Sequence, residues 1–223
     1  MYLKRKTGII FALDFLGRDQ ALDIVKALCH DIDSIKIGLP MLLRTSFDIV
    51  RNVKSICALP VIADLKVCDV PYISRNVVRM ALQSGCDGVV VHGFMGPDGV
   101  EACIKEGKEG MIFVATELTS VGGQVFMQPV ADDIARMALE LGAYGIQAPG
   151  TRPDRVRRLR EIVTERLVII SCGIGAQGPR PGSAIEAGAD FEIIGRAIYE
   201  APNPLESIKN IQDLIRKAMR GTA

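Results

Sequence analysis

The stretch "LPVIADLKVCDVP" (residues 59–71) combines an apolar run with an abrupt group of charges at its end, Asp64, Lys66 and Asp69. A short continuous apolar run is typical of a strand that is buried on both faces, as in a parallel sheet. Charged side chains are costly to bury at the end of such a strand unless they are paired with opposite charges. The stretch therefore predicts a buried parallel strand that delivers a set of opposite charges to one edge of the sheet.

Seven further segments have the same apolar character, and sequences with helical spacing lie between them. With residues 59–66 the predicted strands are 8–15, 34–38, 88–93, 110–118, 145–149, 167–173 and 191–197. Eight β-α units in a chain of this length indicate an α/β fold, a single (β/α)8 (TIM) barrel domain over residues 1–223. An open, doubly wound sheet is the competing architecture.

Composition excludes several classes of function. The formal net charge is only +1, and aromatic residues make up 5% with no Trp, so we expect no nucleic-acid surface. No stretch approaches the roughly 20 apolar residues of a membrane span, and Asp14 interrupts the apolar run near the N-terminus. We expect a soluble cytoplasmic protein that binds neither nucleic acid nor membrane.

Six cysteines are scattered along the chain without a CxxC pair. In a cytoplasmic protein this usage is typical of small, reduced core residues, so we expect free thiols. Only two histidines occur, so a zinc site built from histidines is not expected.

A closed barrel gathers functional side chains at the carboxyl ends of its strands. Polar residues stand at these ends in most predicted strands. They are Asp14, Lys36, Asp64, Lys66, His92, Glu117, Thr119, Gln177 and Arg196. The roles of His92 and Glu117 stay open: His92 suits a structural residue as well as a catalyst, and Glu117 suits a base or a buried partner of Lys66.

Asp64 and Lys66 are two residues apart and should share one face of their strand. Asp14 and Lys36, from neighbouring strands, can join them in an alternating array of carboxylates and ammonium groups. Such anions keep lysines protonated, which suits a proton donor and not a Schiff-base nucleophile. Asp69 lies three residues beyond Lys66 and could serve a neighbouring subunit. A purely structural set of ion pairs is the alternative interpretation.

Two loops are suited to phosphate binding. "GIGAQG" (173–178) follows the seventh strand and "GR" (195–196) ends the eighth, where barrels often bind phosphate through backbone N–H groups. The first loop also matches GxGxxG, but the dinucleotide fingerprint belongs to the first βα turn. The glycine-containing loop 119–129 is interpreted as a lid or an ordinary surface loop.

Six motifs together resemble the orotidine 5′-phosphate decarboxylase family, particularly its short archaeal type. They are "ALD" (12–14), "KIG" (36–38), "DLKVCDVP" (64–71), "VHG" (91–93), "GIGAQG" (173–178) and "GRAIY" (195–199). The resemblance covers nearly the whole chain. It implies decarboxylation of orotidine 5′-monophosphate to uridine 5′-monophosphate in de novo pyrimidine synthesis, by a homodimer that uses neither a metal nor an organic cofactor.

The resemblance also implies roles for the charged residues. Lys66 would deliver a proton to C6 as CO₂ departs, and Asp64 would lie beside the substrate carboxylate. Asp14 and Lys36 would hold the ribose hydroxyls, with Lys36 extending the catalytic array. Asp69 would reach the active site of the other subunit.

For the remaining contacts, the resemblance implies that Thr119 meets the pyrimidine and that Gln177, Gly195 and Arg196 bind the phosphate. Three positions depart from the family's usual residues. Thr119 stands for Ser and Cys172 for Pro, while Ile73 stands for Thr and would lose a hydroxyl contact across the dimer.

Two other functions fit parts of the pattern. A metal-dependent sugar-phosphate decarboxylase, aldolase or epimerase could use the same barrel, but the cationic Lys36 would repel Mg²⁺. A non-catalytic sensor of phosphorylated ligands could use the phosphate loops, but it would not need Lys66 as a proton donor.

Overall fold

Eight parallel strands form one closed barrel in a computed structural model, which describes residues 2–14 and 17–221. The strands pair in sequence order, and β8 pairs back with β1. They are β1 (Ile9–Leu13), β2 (Ser34–Gly38), β3 (Val61–Val67), β4 (Gly88–His92), β5 (Met111–Ala115), β6 (Gly145–Pro149), β7 (Val168–Cys172) and β8 (Phe191–Ile194). The predicted (β/α)8 barrel is confirmed, and the open sheet is excluded.

Helices connect the strands. They are α1 (Arg18–Leu28), α2 (Leu39–Thr45), α3 (Asp48–Ile56), α4 (Pro71–Gln83), α5 (Pro97–Glu106), α6 (Gly123–Phe126), α7 (Ala131–Glu140), α8 (Pro153–Val163), α9 (Ser183–Glu186), α10 (Arg196–Tyr199) and α11 (Pro204–Gly221). Short 3₁₀ turns lie at Gly93–Met95, Gln128–Val130 and Thr164–Arg166. Within the described residues, no helix combines the length and apolar character that crossing a bilayer requires.

The strands are buried on both faces because two apolar layers pack against them. Side chains alternate along a strand, so Ile10 and Ala12 of β1 point into the barrel. Ile9, Phe11 and Leu13 point outward and pack under the helices. This double burial explains why the sequence of each strand is an apolar run and not an alternating pattern.

All eight predicted strands are present, but several end earlier than predicted. The segment 110–118 leaves the sheet after Ala115, and 191–197 leaves it after Ile194, where Arg196 begins α10. The polar residues at these ends belong to the loops around the barrel mouth and not to the strand ladder. The predicted end of the first strand, residue 15, lies outside the described residues.

The expectation that all cysteines are reduced is wrong for two of them. Cys29 and Cys57 form a disulfide with their Cα atoms 5.7 Å apart. Each follows the last residue of a helix, α1 and α3 respectively, and these helices pack side by side. A spacing of 28 residues matches no local cysteine motif, so only the helix packing brings the two together. The free cysteines are Cys68, Cys86, Cys103 and Cys172.

We expect the disulfide to stabilise the fold. Loss of this cross-link by Cys57→Ser should lower the free energy of unfolding by roughly 3 kcal/mol, because the unfolded chain regains the freedom of a loop of this length. Urea unfolding of oxidised and dithiothreitol-treated protein measures the effect. The Cys57→Ser variant is the control, since dithiothreitol should not destabilise it further. A wild-type protein whose stability is unchanged after complete reduction would contradict the prediction.

Candidate active site

Four charged residues form a continuous chain of ion pairs at the carboxyl ends of the first three strands. Lys36 Nζ lies 3.1 Å from Asp14 Oδ1 and 3.1 Å from Asp64 Oδ2. Lys66 Nζ lies 2.7 Å from Asp64 Oδ1. The order is therefore Asp14–Lys36–Asp64–Lys66, with Asp64 shared between two ammonium groups. The structure brings together the four residues that the sequence singled out.

Burial strengthens the ionic character of this array. Lys36 and Asp64 are only 6% and 7% exposed. Burial alone would lower the pKa of Lys36, but the charges of Asp64 and Asp14 outweigh it and raise the pKa above its usual value. Burial alone would raise the pKa of Asp64, but Lys36 and Lys66 lower it to about 2. The central lysine and the central carboxylate are therefore both charged at neutral pH.

Lys66 reaches this array through an irregular backbone. Its φ is 45°, in the left-handed region that L-residues other than Gly, Asn and Asp rarely adopt. The register between β3 and β4 shifts here, so that Asp64 pairs with Val90 while Val67 pairs with Val91. The sequence predicted a shared face from regular strand alternation. The two side chains do meet, but a β-bulge at the active site sets the direction of Lys66.

Gly38 makes room for the outer carboxylate of the array. A Cβ atom on Gly38 would lie 2.0 Å from Asp14 Oδ1, well inside contact distance. Any larger residue would therefore displace Asp14 from Lys36. The glycine of the "KIG" motif is required by this close approach.

The array forms one wall of a cavity of about 330 Å³. Loops after β5, β7 and β8 form the opposite side. The predicted substrate-binding residues that line the cavity are Asp14, Lys36, Thr119, Gln177, Gly195 and Arg196. Cys172 also lines it, and burial raises the pKa of its thiol.

The loop after β7 depends on its glycines. Gly173, Gly175 and Gly178 have φ values of 87°, 73° and 117°, which favour glycine. A Cβ atom on Gly173 would lie 2.9 Å from Thr119 Cγ2 and 3.2 Å from Gln177 Oε1. The glycine thus lets the loops after β5 and β7 approach each other at the cavity.

Arg196 is exposed and begins α10, directly after Gly195. Its guanidinium group makes no ion pair or hydrogen bond with any residue that the structure describes. It is therefore free to bind an anion through its forked N–H donors.

Glu117 is engaged elsewhere and is not a partner of Lys66. It is 1% exposed, and Arg152 Nε and Arg155 Nε donate to its two carboxylate oxygens at 2.8 Å and 3.1 Å. Arg152 also donates to the carbonyl oxygens of Leu118 and Thr119, the latter at 3.1 Å. Glu117 thus neutralises the arginine that holds the Thr119 loop. The sequence reasoning missed Arg152, because nothing local marks it as different from other helix-start arginines.

His92 is half-buried at the end of β4, and its Nδ1 accepts a hydrogen bond from the backbone N–H of Phe94 at 3.2 Å. Burial, together with the charge of Lys66, lowers its pKa. Its side chain does not line the cavity, so the geometry favours the structural interpretation.

Two polar residues of the cavity, Tyr199 and Gln147, were not singled out from the sequence. Tyr199 of α10 packs edge-on against Phe11 with ring centres 6.4 Å apart. Gln147 of β6 is 1% exposed, and its Nε2 lies 3.4 Å from Asp64 Oδ2. An amide inside an apolar strand was the available signal for Gln147, but β6 had the least distinctive sequence of the eight.

Asp69 does not join the array. It lies exposed in the loop after β3, where its Oδ1 accepts a hydrogen bond from the backbone N–H of Val70 at 2.7 Å. It lines a separate, mainly apolar groove of about 460 Å³ with Leu43, Ile73 and Met80. These three apolar side chains are 80%, 42% and 62% exposed.

The described residues, 2–14 and 17–221, contain no cluster of side chains suited to bind a metal ion. No group of three or more His, Cys, Asp or Glu side chains there is arranged to hold a metal ion. The three carboxylates that line the cavity are already paired: Asp14 and Asp64 with Lys36, and Glu117 with Arg152 and Arg155.

The closed barrel and the charged array at its mouth define a (β/α)8-barrel enzyme. A family model described as "Orotidine 5'-phosphate decarboxylase / HUMPS family" matches residues 7–211, and the chain belongs to this family. Its relatives carry decarboxylase names, and the chain is accordingly a decarboxylase, a carbon–carbon lyase.

Relatives found by sequence and by structure match this chain over nearly its full length. An orotidine 5′-phosphate decarboxylase from Methanosarcina acetivorans is 43% identical and covers 98% of this chain and 99% of its own length. The Methanocaldococcus jannaschii decarboxylase complexed with the inhibitor BMP superposes with a TM-score of 0.88 at 36% identity, covering 93% and 97% of the two chains. The Pyrococcus horikoshii orotidine 5′-phosphate decarboxylase superposes with a TM-score of 0.86 at 39% identity, covering 93% of this chain and 99% of its own.

The lowered pKa of Asp64 predicts a pH-dependent contribution to stability. Its ordinary pKa is 3.8, so the contribution is complete above that value and is lost as the pH falls through about 2. The stability difference between wild type and Asp64→Asn should therefore narrow by about 2 kcal/mol across this range. Urea unfolding at a series of pH values measures it.

The matched control is Asp213→Asn, which removes a carboxylate from an exposed pair with Arg216. Exposed pairs contribute little, so this variant should follow the wild type at every pH. A difference in the free energy of unfolding between wild type and Asp64→Asn that does not change with pH would contradict the prediction.

Proposed function

We propose that the chain converts orotidine 5′-monophosphate to uridine 5′-monophosphate and CO₂ in de novo pyrimidine synthesis. The observation that carries this proposal is the Asp14–Lys36–Asp64–Lys66 array, which faces Arg196 across one cavity. An ammonium group held beside a carboxylate suits protonation of a carbanion, and a free guanidinium suits a phosphate. The same proposal assigns the reaction to the cytoplasm, where phosphorylated nucleotides are made.

The substrate would lie across the cavity. Its phosphate binds Arg196, Gln177 and the backbone at Gly195, and its ribose hydroxyls bind Asp14 and Lys36. Thr119 contacts the pyrimidine, which brings the reacting carboxylate to the Asp64 end of the array. The inhibitor complex of the Methanocaldococcus jannaschii relative supports a ligand site in this type of barrel.

The chemical step needs only the chain's own groups. The bond from C6 to the carboxylate breaks, CO₂ leaves, and the electron pair stays on C6. Lys66 stabilises this charge and transfers a proton from Nζ to C6. Asp64 has a secondary role: it repels the substrate carboxylate, by about 4 kcal/mol for charges 4 Å apart at an effective dielectric of 20, until that charge leaves as CO₂.

We also propose a homodimer in which Asp69 serves the partner's site. Support comes from its position outside its own array and from the exposed apolar groove that it lines. An exposed apolar groove of this kind is suited to a protein interface, and a second copy of the chain would cover it. Ile73, where the family usually has Thr, would add apolar contact there.

The two alternatives fit the geometry less well. A magnesium-dependent sugar-phosphate enzyme would need free carboxylates, but Lys36 Nζ lies 3.1 Å from both Asp14 and Asp64. A sensor of phosphorylated ligands would need Arg196 but not the strained backbone that brings Lys66 to Asp64.

An ultraviolet assay of orotidine monophosphate loss tests the function directly. Wild type should turn the substrate over, and Lys66→Ala should reduce kcat by roughly a thousandfold or more, because the proton donor is lost. Binding of uridine monophosphate to the variant, measured by calorimetry, should remain detectable. Lys105→Ala, in an exposed pair with Glu101, is the control and should retain wild-type turnover. Wild-type kcat in Lys66→Ala would eliminate the assigned role.

The same assay run with a chelator separates the metal-dependent alternative. Turnover should survive EDTA, because protonation by Lys66 needs no Lewis acid. Loss of turnover with EDTA and its recovery with Mg²⁺ would favour the metal-dependent enzyme.

Subunit mixing tests the shared site. Asp69→Ala and Lys66→Ala homodimers should each be impaired, whereas a hybrid dimer has one site with both residues intact. Equal mixing makes about half of the dimers hybrids, so we expect about a quarter of the wild-type activity. Mixing either variant with more of itself is the control. No recovery after verified subunit exchange would argue against the shared site.

A further inference from the structure

Gln147 is a buried amide at the level of the charged array. It is 1% exposed in β6, and its neighbours in register are Ala115 and Ile170, both apolar and both inside the barrel. An amide in such surroundings is costly unless it forms hydrogen bonds. Gln147 Nε2 donates to Asp64 Oδ2 at 3.4 Å, so the array supplies its partner.

This contact distributes the donors unequally over the Asp64 carboxylate. Oδ2 accepts from Lys36 and from Gln147, whereas Oδ1 is bound by Lys66 at 2.7 Å. Two donors from opposite sides of the barrel fix Oδ2. Rotation of the carboxylate about its Cβ–Cγ bond would break both contacts, so Oδ1 keeps its direction and so does the ammonium group on it.

Gln147 also lines the cavity beside Asp64. A free N–H group on this wall could donate to a substrate carboxylate. That hydrogen bond would stabilise the ground state more than the transition state, where the charge has moved from the carboxylate to C6. The N–H that Gln147 donates to Asp64 is not available for this hydrogen bond, because an ionised protein carboxylate is a strong acceptor.

We propose that Gln147 is a positioning residue for decarboxylation. It holds the Asp64 carboxylate so that Lys66, on the opposite oxygen, is directed at the carbon that takes the proton. The inference rests on the proposed function and extends it to a residue on the far side of the barrel from the array.

The first variant is Gln147→Met, which keeps the length and volume of the side chain and removes the N–H donor. We expect kcat to fall about tenfold, within the range for losing a hydrogen bond to a charged group. KM should change by less than about twofold, because the phosphate contacts proposed for Gln177, Gly195 and Arg196 do not involve Gln147. A merely structural role would lower the unfolding temperature and leave kcat unchanged.

The second variant, Gln147→Glu, is tested by its pH–rate profile, which a change in packing alone would not shift. Two carboxylates this close cannot easily both ionise, and they titrate as a coupled pair. The acid limb of the pH–kcat/KM profile should therefore move to higher pH by about one unit or more. An acid limb at the wild-type position would contradict contact between the two groups.

Ser34→Ala is the matched control. Ser34 is fully buried at the beginning of β2, and its hydroxyl donates to the Pro60 carbonyl at 2.9 Å. This variant loses one buried hydrogen bond far from the cavity, so it should affect stability and leave both kcat and the pH profile unchanged.

The outcomes are distinguishable. Folded Gln147→Met with wild-type kcat and KM overturns this inference alone, whereas wild-type protein without turnover overturns it together with the proposed function. If Gln147→Met does not fold, Gln147→Asn gives the same kinetic test. Its amide is one methylene shorter and cannot reach Asp64, so the same fall in kcat is expected.

Discussion

The sharing of one buried carboxylate between two ammonium groups is the interaction on which the rest of the site depends. Asp64 alone would be costly to bury, and so would Lys36. Together they satisfy one another because β1, β2 and β3 pair side by side in parallel, with their carboxyl ends at one rim. The helices and both apolar layers keep these strand ends in place.

The opposite side of the same rim uses paired charges for a different purpose. Glu117 is buried against Arg152 and Arg155, and Arg152 in turn binds the backbone carbonyls of the loop that carries Thr119. Here the paired charges position backbone and do not face a reacting atom. One buried anion thus orders the charges and the other orders a loop. The cavity lies between them.

The sequence was informative wherever structure follows from local periodicity. Apolar runs predicted all eight strands, and the parallel order of the strands then predicted which charged residues meet. It was uninformative where a partner comes from a distant element. Cys29 and Cys57 pair through helix packing, Glu117 pairs with arginines 35 and more residues away, and the bulge at Lys66 has no local marker. Gln147 was overlooked because its role depends on a hydrogen bond to Asp64, which lies on a strand across the barrel.

The disulfide and the charged array lie at opposite ends of the barrel, since Cys29 and Cys57 precede β2 and β3 while the array follows them. The charged array and the disulfide therefore have no side chain in common. A lineage living at another temperature, or in another redox environment, could lose the disulfide by one substitution or acquire it by two without changing any residue of the array. Durability and reactivity can thus evolve as separate traits in this scaffold.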